Sequence, residues 1–178
     1  MLIRLLVCGA MAAARLLELA YSRRNMQRFA GLREGGLSRI TFPVMVALHT
    51  TVLAGTSLYG RKGRLPWLGL LLAAQPFRLW VLTTLRHRWN ARGAVPDDMQ
   101  VATDGPYSYV RHPNYAVVAV ELLALPMAFG LQRLALAAST VNAVLLTLRI
   151  RDEERLLFHL PGYREHFAAK RRFLPGLF

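Results

Sequence analysis

The residues with the clearest chemical potential lie in one short stretch, GPYSYVRHPNY at 105–115. Pro113 suits the first turn of a helix, where a missing N–H costs nothing, so Arg111 and His112 immediately precede a helix N-terminus. Free backbone N–H groups and the helix dipole favour an anion there, and the Arg111 guanidinium adds a forked donor. Three tyrosines offer flat faces for an aromatic base or a cation. The stretch therefore predicts a ligand site, or, alternatively, a set of anchors at a membrane interface.

A second anomaly is the acidic run Asp152–Glu154, which lies in an otherwise basic C-terminal region. Its carboxylates could stabilise a helix start, or they could bind ribose hydroxyls or the cationic group of a ligand. An anion site at 111–115 combined with a hydroxyl or cation site at Glu153 and Glu154 suits a zwitterionic nucleoside-amino acid. S-adenosylmethionine, with its carboxylate, ammonium, sulfonium, ribose and adenine, is such a ligand.

Four polar side chains interrupt apolar stretches at a similar depth: His49, Arg78, Glu121 and Asn142. Each lies about eight residues from the polar boundary on one side, or roughly 10–12 Å at the rise of an α-helix. A polar group inside a membrane costs free energy, so its presence there indicates a function. The pattern predicts a polar chamber. Each residue could instead be structural, as a buried ion pair between Arg78 and Glu121 or as a hydrogen bond between helices.

Apolar stretches suited to transmembrane helices surround these positions. Five spans are predicted, near 2–21, 42–59, 65–85, 114–129 and 134–148. A span needs about 20 residues, so the last two are short and are expected to pair as a hairpin. Charged helices are predicted to follow at 149–159 and 163–172. The predicted fold class is all-α: one domain over 1–178, a multi-pass membrane helix bundle whose cofactor-binding part is 105–175.

Composition supports a membrane protein. The chain is 54% hydrophobic and yet carries a formal charge of +13, a combination typical of apolar spans joined by short basic loops. The basic residues are scattered and form no nucleic-acid-binding motif, which argues against a nucleic-acid partner. Segments 22–40, 86–112 and 149–172 hold sixteen of the 23 Lys and Arg residues. The positive-inside rule therefore predicts that these segments face the cytoplasm.

The sequence lacks the residues that disulfides, metal centres, phosphate binding and serine hydrolysis require. Cys8 is the only cysteine, so the chain has neither an internal disulfide nor a cysteine-based metal site. The histidines do not have a recognisable metal-ligand spacing, and no phosphate-binding glycine loop or nucleophile elbow is present. We therefore expect no metal centre.

The focal stretch also carries a resemblance. GPYSYVRHPNY, followed by an apolar hairpin and then by RDEERLL and GYREHFAAKRRFLP, resembles the isoprenylcysteine carboxyl methyltransferase family of membrane enzymes over about 89–175. Related motifs occur in phospholipid methyltransferases. RRN at 23–25, FPVMVALH at 42–49 and NYAVVAVELLALP at 114–126 resemble a bacterial branch that methylates alkylpyrones and alkylresorcinols, which are long-chain polyketide lipids. This implies a place in a bacterial inner membrane.

The resemblance implies a cytoplasm-facing S-adenosylmethionine pocket closed by the C-terminal segment. Its cofactor-binding residues would be Tyr107, Val110, His112, Pro113, Tyr115, Glu153, Glu154 and Tyr163. His166 stands where the family has the second tyrosine of its tail.

The implied reaction transfers methyl to an oxygen of a lipophilic substrate that enters laterally from among the membrane lipids. A carboxylate acceptor needs no base, whereas a phenol or enol would profit from one. His49 or Glu121 is then the candidate base, and Arg78 or Arg111 would steady the negative oxygen. Two alternatives stay open: a phospholipid N-methyltransferase, and a small transporter that uses the buried polar layer.

Overall fold

The protein folds as a bundle of five long helices with a short sixth. The structure is a computed structural model that describes residues 1–61, 63–97 and 99–173. In chain order the helices are α1 (Leu2–Met26), α2 (Gly36–Tyr59), α3 (Leu65–Leu85), α4 (Pro113–Ala128), α5 (Gln132–Leu157) and α6 (Tyr163–Phe167). Two-residue strands β1 (Leu32–Arg33) and β2 (Val95–Pro96) pair antiparallel. The predicted all-α membrane bundle is confirmed.

Within the described residues, three helices are long and apolar enough to cross a membrane: α2, α5, and α3 together with the 3₁₀ turn that extends it to Arg88. Helix α4 is apolar but has only 16 residues. Helices occupy all five predicted spans, and five crossings stay a prediction.

The structure differs from the sequence expectation at several boundaries: α1 extends to Met26, α2 begins at Gly36, and the helix predicted at 163–172 ends at Phe167. The charged segment at 149–159 was predicted as a separate helix, but α5 continues through it to Leu157. The helix continues because Arg149, Asp152 and Glu154 are buried against partners on other elements rather than exposed to solvent.

Helix α4 is the centre of the bundle. It packs against α3 on one side and α5 on the other, and α2 packs against α5. Pro113 occupies its first turn, as predicted. Helix α1 is peripheral, with Cys8, Ser22 and Asn25 as its buried residues. A gap between α1 and α2 becomes the inner cavity described below.

The carboxylate of Asp152 joins α5 to the start of α2. Its Oδ2 accepts hydrogen bonds from the Ser38 backbone N–H at 2.9 Å and from the Ser38 hydroxyl at 3.2 Å. Ser38 is the third residue of α2. Asp152 therefore accepts a hydrogen bond from a free N–H of the first turn of α2, which is the role of an N-cap side chain, although it lies on another helix. Gly35 makes the approach possible, because a Cβ there would overlap the Asp152 carboxylate.

We predict that Asp152→Ala lowers the stability of the detergent-solubilised protein by about 1–2 kcal/mol, the usual cost of losing a cap. Thermal unfolding would measure the change. Asp97→Ala is the matched control, because Asp97 is exposed and pairs with the exposed Arg33 at 2.5 Å, an arrangement that contributes little. Equal melting temperatures for the two variants would contradict the capping role.

Candidate functional site

A cavity of about 660 Å³ runs through the loop end of the bundle and into the gap between α1 and α2. This volume is typical of small-molecule sites. Tyr107, Glu153 and Tyr163 line its polar end, whereas Leu5 and Leu53 line its apolar end. The cavity can therefore hold a polar molecule and an apolar chain in one continuous space.

The loop between α3 and α4 forms one wall of the polar end. Asn25 Nδ2 donates to the Trp89 carbonyl at 2.8 Å, and the Ala91 N–H donates to Ser22 Oγ at 2.9 Å. Arg149 Nη2 donates to the Ala91 carbonyl at 2.8 Å. Bonds from α1 and α5 thus fix this loop, which the sequence indicated only as polar.

A tight turn in the same loop depends on a glycine. Asn90 Nδ2 donates to the Ala94 carbonyl at 2.7 Å, and Asn90 Oδ1 accepts from the Ala94 N–H at 2.9 Å. Gly93 lies inside the turn with φ +69°, and a Cβ there would stand 3.1 Å from Arg149 Nη2. Glycine is the residue that adopts this conformation without strain.

The backbone ahead of α4 is covered by the C-terminal tail, residues 168–173. The N–H groups of Arg111 and His112 donate to the carbonyls of Arg171 and Arg172, each at 2.9 Å. The expectation that these two N–H groups are free to bind an anion is wrong, because the tail has taken them. Arg111 Nε also donates to the Lys170 carbonyl at 2.7 Å.

Glu154 connects α5, the focal stretch and the tail. Its Oε1 accepts hydrogen bonds from Arg111 Nη1 at 3.1 Å and from His112 Nε2 at 3.2 Å. Because a carboxylate only accepts, His112 Nε2 must carry a proton. Arg172 Nη2 donates to Glu154 Oε2 at 2.7 Å, and this hydrogen bond raises the pKa of Arg172.

The neighbouring Glu153 lines the cavity and has a different partner. Tyr115 Oη donates to Glu153 Oε2 at 2.6 Å, and Arg149 Nε donates to Tyr115 Oη at 3.3 Å. Tyr107 and Tyr163 stand on the same part of the wall. Burial raises the pKa of both hydroxyls, so both tyrosines are neutral at physiological pH.

Deeper in the bundle, four charged side chains form what we call the ion cluster: Arg15, Glu18, Arg78 and Glu121. Arg78 donates to the two Glu18 oxygens at 2.5 and 2.6 Å and to Glu121 at 3.1 Å. Arg15 lies 2.9 Å from Glu18 and 3.4 Å from Glu121, and Gln75 donates to Glu121 at 3.0 Å. The pair between Arg78 and Glu121, one alternative from the sequence, is present within this larger neutral set.

His49 lines the cavity beside the ion cluster. Its Nδ1 bonds the Met45 carbonyl at 2.8 Å, and since a carbonyl only accepts, Nδ1 carries the proton of the neutral ring. Nε2 is then a bare acceptor, with no hydrogen-bond partner among residues 1–61, 63–97 and 99–173. Asn142, predicted at the same depth, is buried on α5 and does not line the cavity.

The structure brings most of the predicted site residues to one space. Eight of the twelve line the cavity: His49, Arg78, Tyr107, Arg111, His112, Tyr115, Glu153 and Tyr163. Val110, Pro113, Glu121 and Glu154 lie behind the wall in the part of the chain that is described. Sequence reasoning missed several lining residues: Arg15, Glu18, Trp89, Asn90, Asn114 and Arg149. A signal existed for Arg15 and Glu18, which are charges inside an apolar span, but the short loop around Trp89 carries none.

Residues 67–159, from α3 to just beyond α5, match the model of the isoprenylcysteine carboxyl methyltransferase (ICMT) family. The chain belongs to this family. The predicted family is therefore confirmed, and membership makes the protein a membrane methyltransferase.

Two bacterial relatives are similar to the chain. It is 32% identical over 161 residues to an uncharacterized protein of Bacillus subtilis, YpbQ, across 85% of this chain and 95% of that protein. It is 28% identical over 94 residues to an uncharacterized protein of Haemophilus influenzae, across 52% of this chain and 55% of that one. The predicted branch that acts on polyketide lipids stays a prediction.

We predict that Glu154→Ala loosens the tail. Arg111, His112 and Arg172 would lose their common acceptor, so the bonds that protect the Arg111 and His112 amides should open more often. Hydrogen exchange followed by mass spectrometry should show faster exchange in the peptide that contains them. Asp104→Ala, on an exposed residue of the same loop, is the control and should leave exchange unchanged. Unaltered protection in the Glu154 variant would show that the tail is held elsewhere.

Proposed function

We propose that the protein is an S-adenosylmethionine-dependent methyltransferase that transfers methyl to an oxygen of a lipophilic substrate. Family membership supports methyl transfer, and one observation supports the cofactor. At the polar end of the cavity, three lining residues carry a buried polar atom without a hydrogen-bond partner among the described residues: Trp89 Nε1, Asn114 Oδ1 and Tyr163 Oη. Buried polar groups nearly always make a hydrogen bond. An unpaired donor, an unpaired acceptor and an unpaired hydroxyl near Glu153 therefore favour a polar ligand at this place.

The residues at the polar end fit this cofactor. Glu153 and Tyr115 supply an acceptor for ribose hydroxyls or for an ammonium, and Arg111 supplies a partner for a carboxylate. Tyr107 and Tyr163 offer aromatic faces for adenine or a sulfonium. Glu154 would act from behind by fixing Arg111 and His112, and Val110 and Pro113 would shape the backbone of the same wall.

His49 would act as the general base for an acceptor with an acidic hydroxyl. Its bare Nε2 can take the proton of a phenol or enol as the oxygen becomes nucleophilic. When bound, S-adenosylmethionine supplies the methyl group: the acceptor oxygen bonds the methyl carbon as the carbon–sulfur bond breaks and leaves its electron pair on sulfur. Glu121, the other candidate, already accepts from Arg78 and Gln75 and serves better to balance charge.

The charge of the cavity wall favours oxygen over nitrogen as the acceptor atom. Five arginines line it, and four glutamates lie on it or bond to its arginines from behind: Arg15, Arg78, Arg88, Arg111 and Arg149 against Glu18, Glu153, Glu121 and Glu154, which leaves one positive charge in excess. Arg78 and Arg111 would stabilise a negative oxygen in a site of low dielectric constant. A methylated amine would instead add positive charge. This separates the proposal from a phospholipid N-methyltransferase.

The apolar end of the cavity suits a long-chain acceptor that enters between α1 and α2 from the membrane lipids. A long-chain polyketide phenol or enol, as in the bacterial branch that the sequence resembles, combines such a chain with an acidic hydroxyl. We place the polar end at the cytoplasmic face of a bacterial inner membrane. Sixteen of the 23 Lys and Arg residues lie in the segments on that side, as the positive-inside rule requires.

The cofactor is tested by calorimetry on the purified protein. We predict that it binds S-adenosylmethionine and that Glu153→Gln weakens binding about tenfold or more, because the ligand loses a charge-assisted bond. Glu165→Gln, on an exposed residue of α6, is the matched control and should bind as the wild type does. A wild-type protein that does not bind S-adenosylmethionine would refute the proposal, and flux of a solute through liposomes without cofactor would favour a transporter.

The acceptor is tested with S-adenosylmethionine labelled in its methyl group and three lipids: pentadecylresorcinol as a long-chain phenol, palmitic acid as a carboxylate, and phosphatidylethanolamine as an amine. We expect label in the phenol. Label confined to the amine would establish N-methyl transfer instead.

His49→Ala should lower kcat for the phenol about a hundredfold or more, the usual contribution of a general base. Cofactor affinity should not change, because the imidazole stands at the ion cluster rather than at the polar end. His159→Ala, on an exposed residue, controls for the loss of an imidazole. A kcat close to that of the wild type would exclude His49 as the base.

A further inference from the structure

The acceptor end of the cavity is built by the half of the chain that the family model does not match. The match begins at residue 67, whereas the walls between Leu5 and Leu19 and between Phe42 and Ser57 belong to α1 and α2. These walls carry two charged side chains, Arg15 and Glu18, and the imidazole of His49. Recognition of the acceptor therefore falls to a small set of polar groups.

Within the ion cluster, the two arginines are held with different strength. Arg78 makes three contacts of 2.5, 2.6 and 3.1 Å, with both Glu18 oxygens and with Glu121. Arg15 makes a single short contact, 2.9 Å to Glu18, and its contacts to Glu121 are 3.4 and 3.5 Å. At 3.4–3.5 Å a charge-assisted bond is well beyond its usual length of about 2.7–2.9 Å. Arg15 is thus the arginine whose guanidinium can still donate a strong hydrogen bond to a ligand.

Arg15 also has an unsatisfied donor. Its Nε is buried and has no hydrogen-bond partner in the described part of the chain. Its side chain retains 15% exposure, against 7% for Arg78. Arg15 and His49 both line the main cavity, and both also line a smaller void beside Glu121. Arg15 and His49 therefore border the same space.

We propose that Arg15 binds the acceptor oxygen directly and so selects lipids with an acidic hydroxyl. This inference rests on the proposed function and names a recognition residue for it. The guanidinium forms a charge-assisted hydrogen bond with the hydroxyl oxygen, which strengthens as His49 removes the proton. Glu18 fixes the position of Arg15 and Arg78 offsets the charge of Glu18, so an oxygen anion meets an oriented cation.

The position of Arg15 also assigns a direction to the acceptor. The cavity wall along α1 runs from Arg15 to Leu5 through Ala12, Gly9 and Cys8, about 15 Å at the helical rise. These residues are apolar or small. The acceptor head group therefore lies at Arg15 in the ion cluster, and its alkyl chain follows α1 away from the polar end.

The test measures binding and does not depend on turnover. Pentadecylresorcinol and its dimethyl ether have the same chain and ring, but the ether has no acidic hydroxyl. In detergent with S-adenosylmethionine present, we expect the wild type to bind the phenol about tenfold or more tightly than the ether, the difference expected for a charge-assisted bond. Arg15→Gln should abolish this preference without changing cofactor affinity.

Two further variants keep the outcome decisive. Arg15→Lys retains the charge, and thus the ion cluster, but not the forked donor, so it should keep a reduced preference. It replaces the Gln variant as the decisive measurement if that variant does not fold. Arg24→Gln, on an exposed residue at the other end of α1, should match the wild type.

Two results would overturn the inference: an equal affinity of the wild type for phenol and ether, or a full wild-type preference in both Arg15 variants. In both cases the wild type would still bind S-adenosylmethionine normally. Failure of the proposed function would instead appear as loss of cofactor binding in the wild type, so the two failures are distinguishable.

Discussion

The bundle depends on pairing its buried charges. Arg15 and Glu18 on α1, Arg78 on α3 and Glu121 on α4 meet in one neutral cluster. Inside an apolar bundle an unpaired charge costs far more than a pair, so the cluster holds three helices in register. Helix α1 has few buried residues of its own. The ion pairs to Glu121 and Arg78 therefore attach α1 to α4 and α3.

A second set of bonds organises the loop end through consecutive acids on α5. Asp152 caps α2, Glu153 accepts from Tyr115, and Glu154 accepts from Arg111 and the tail. Successive residues on a helix point about 100° apart, so three neighbours reach three different elements. One short run thereby fixes the start of α2, a carboxylate that lines the cavity, and the position of the tail.

The two ends of the cavity are formed by different parts of the chain. The segment that matches the family, 67–159, carries the focal stretch and the acidic run. The preceding helices carry Arg15, Glu18 and His49. Under the proposed function, the matched segment would bind the cofactor and the preceding helices the acceptor, so a relative could change its acceptor by changing α1 and α2 alone.

The sequence by itself determined the fold class, the approximate helix positions, the family, and eight residues of the cavity wall, among them His49, Arg111 and Glu153. Those features are local: apolar length sets a helix, and Pro113 sets the start of α4. Only the tertiary structure decided that the tail occupies the Arg111 and His112 N–H groups, that Asp152 caps a distant helix, and that Arg15 joins Arg78. The physical reason is that each is a contact between segments far apart in the chain, and a hydrogen-bond partner is chosen by packing rather than by sequence spacing.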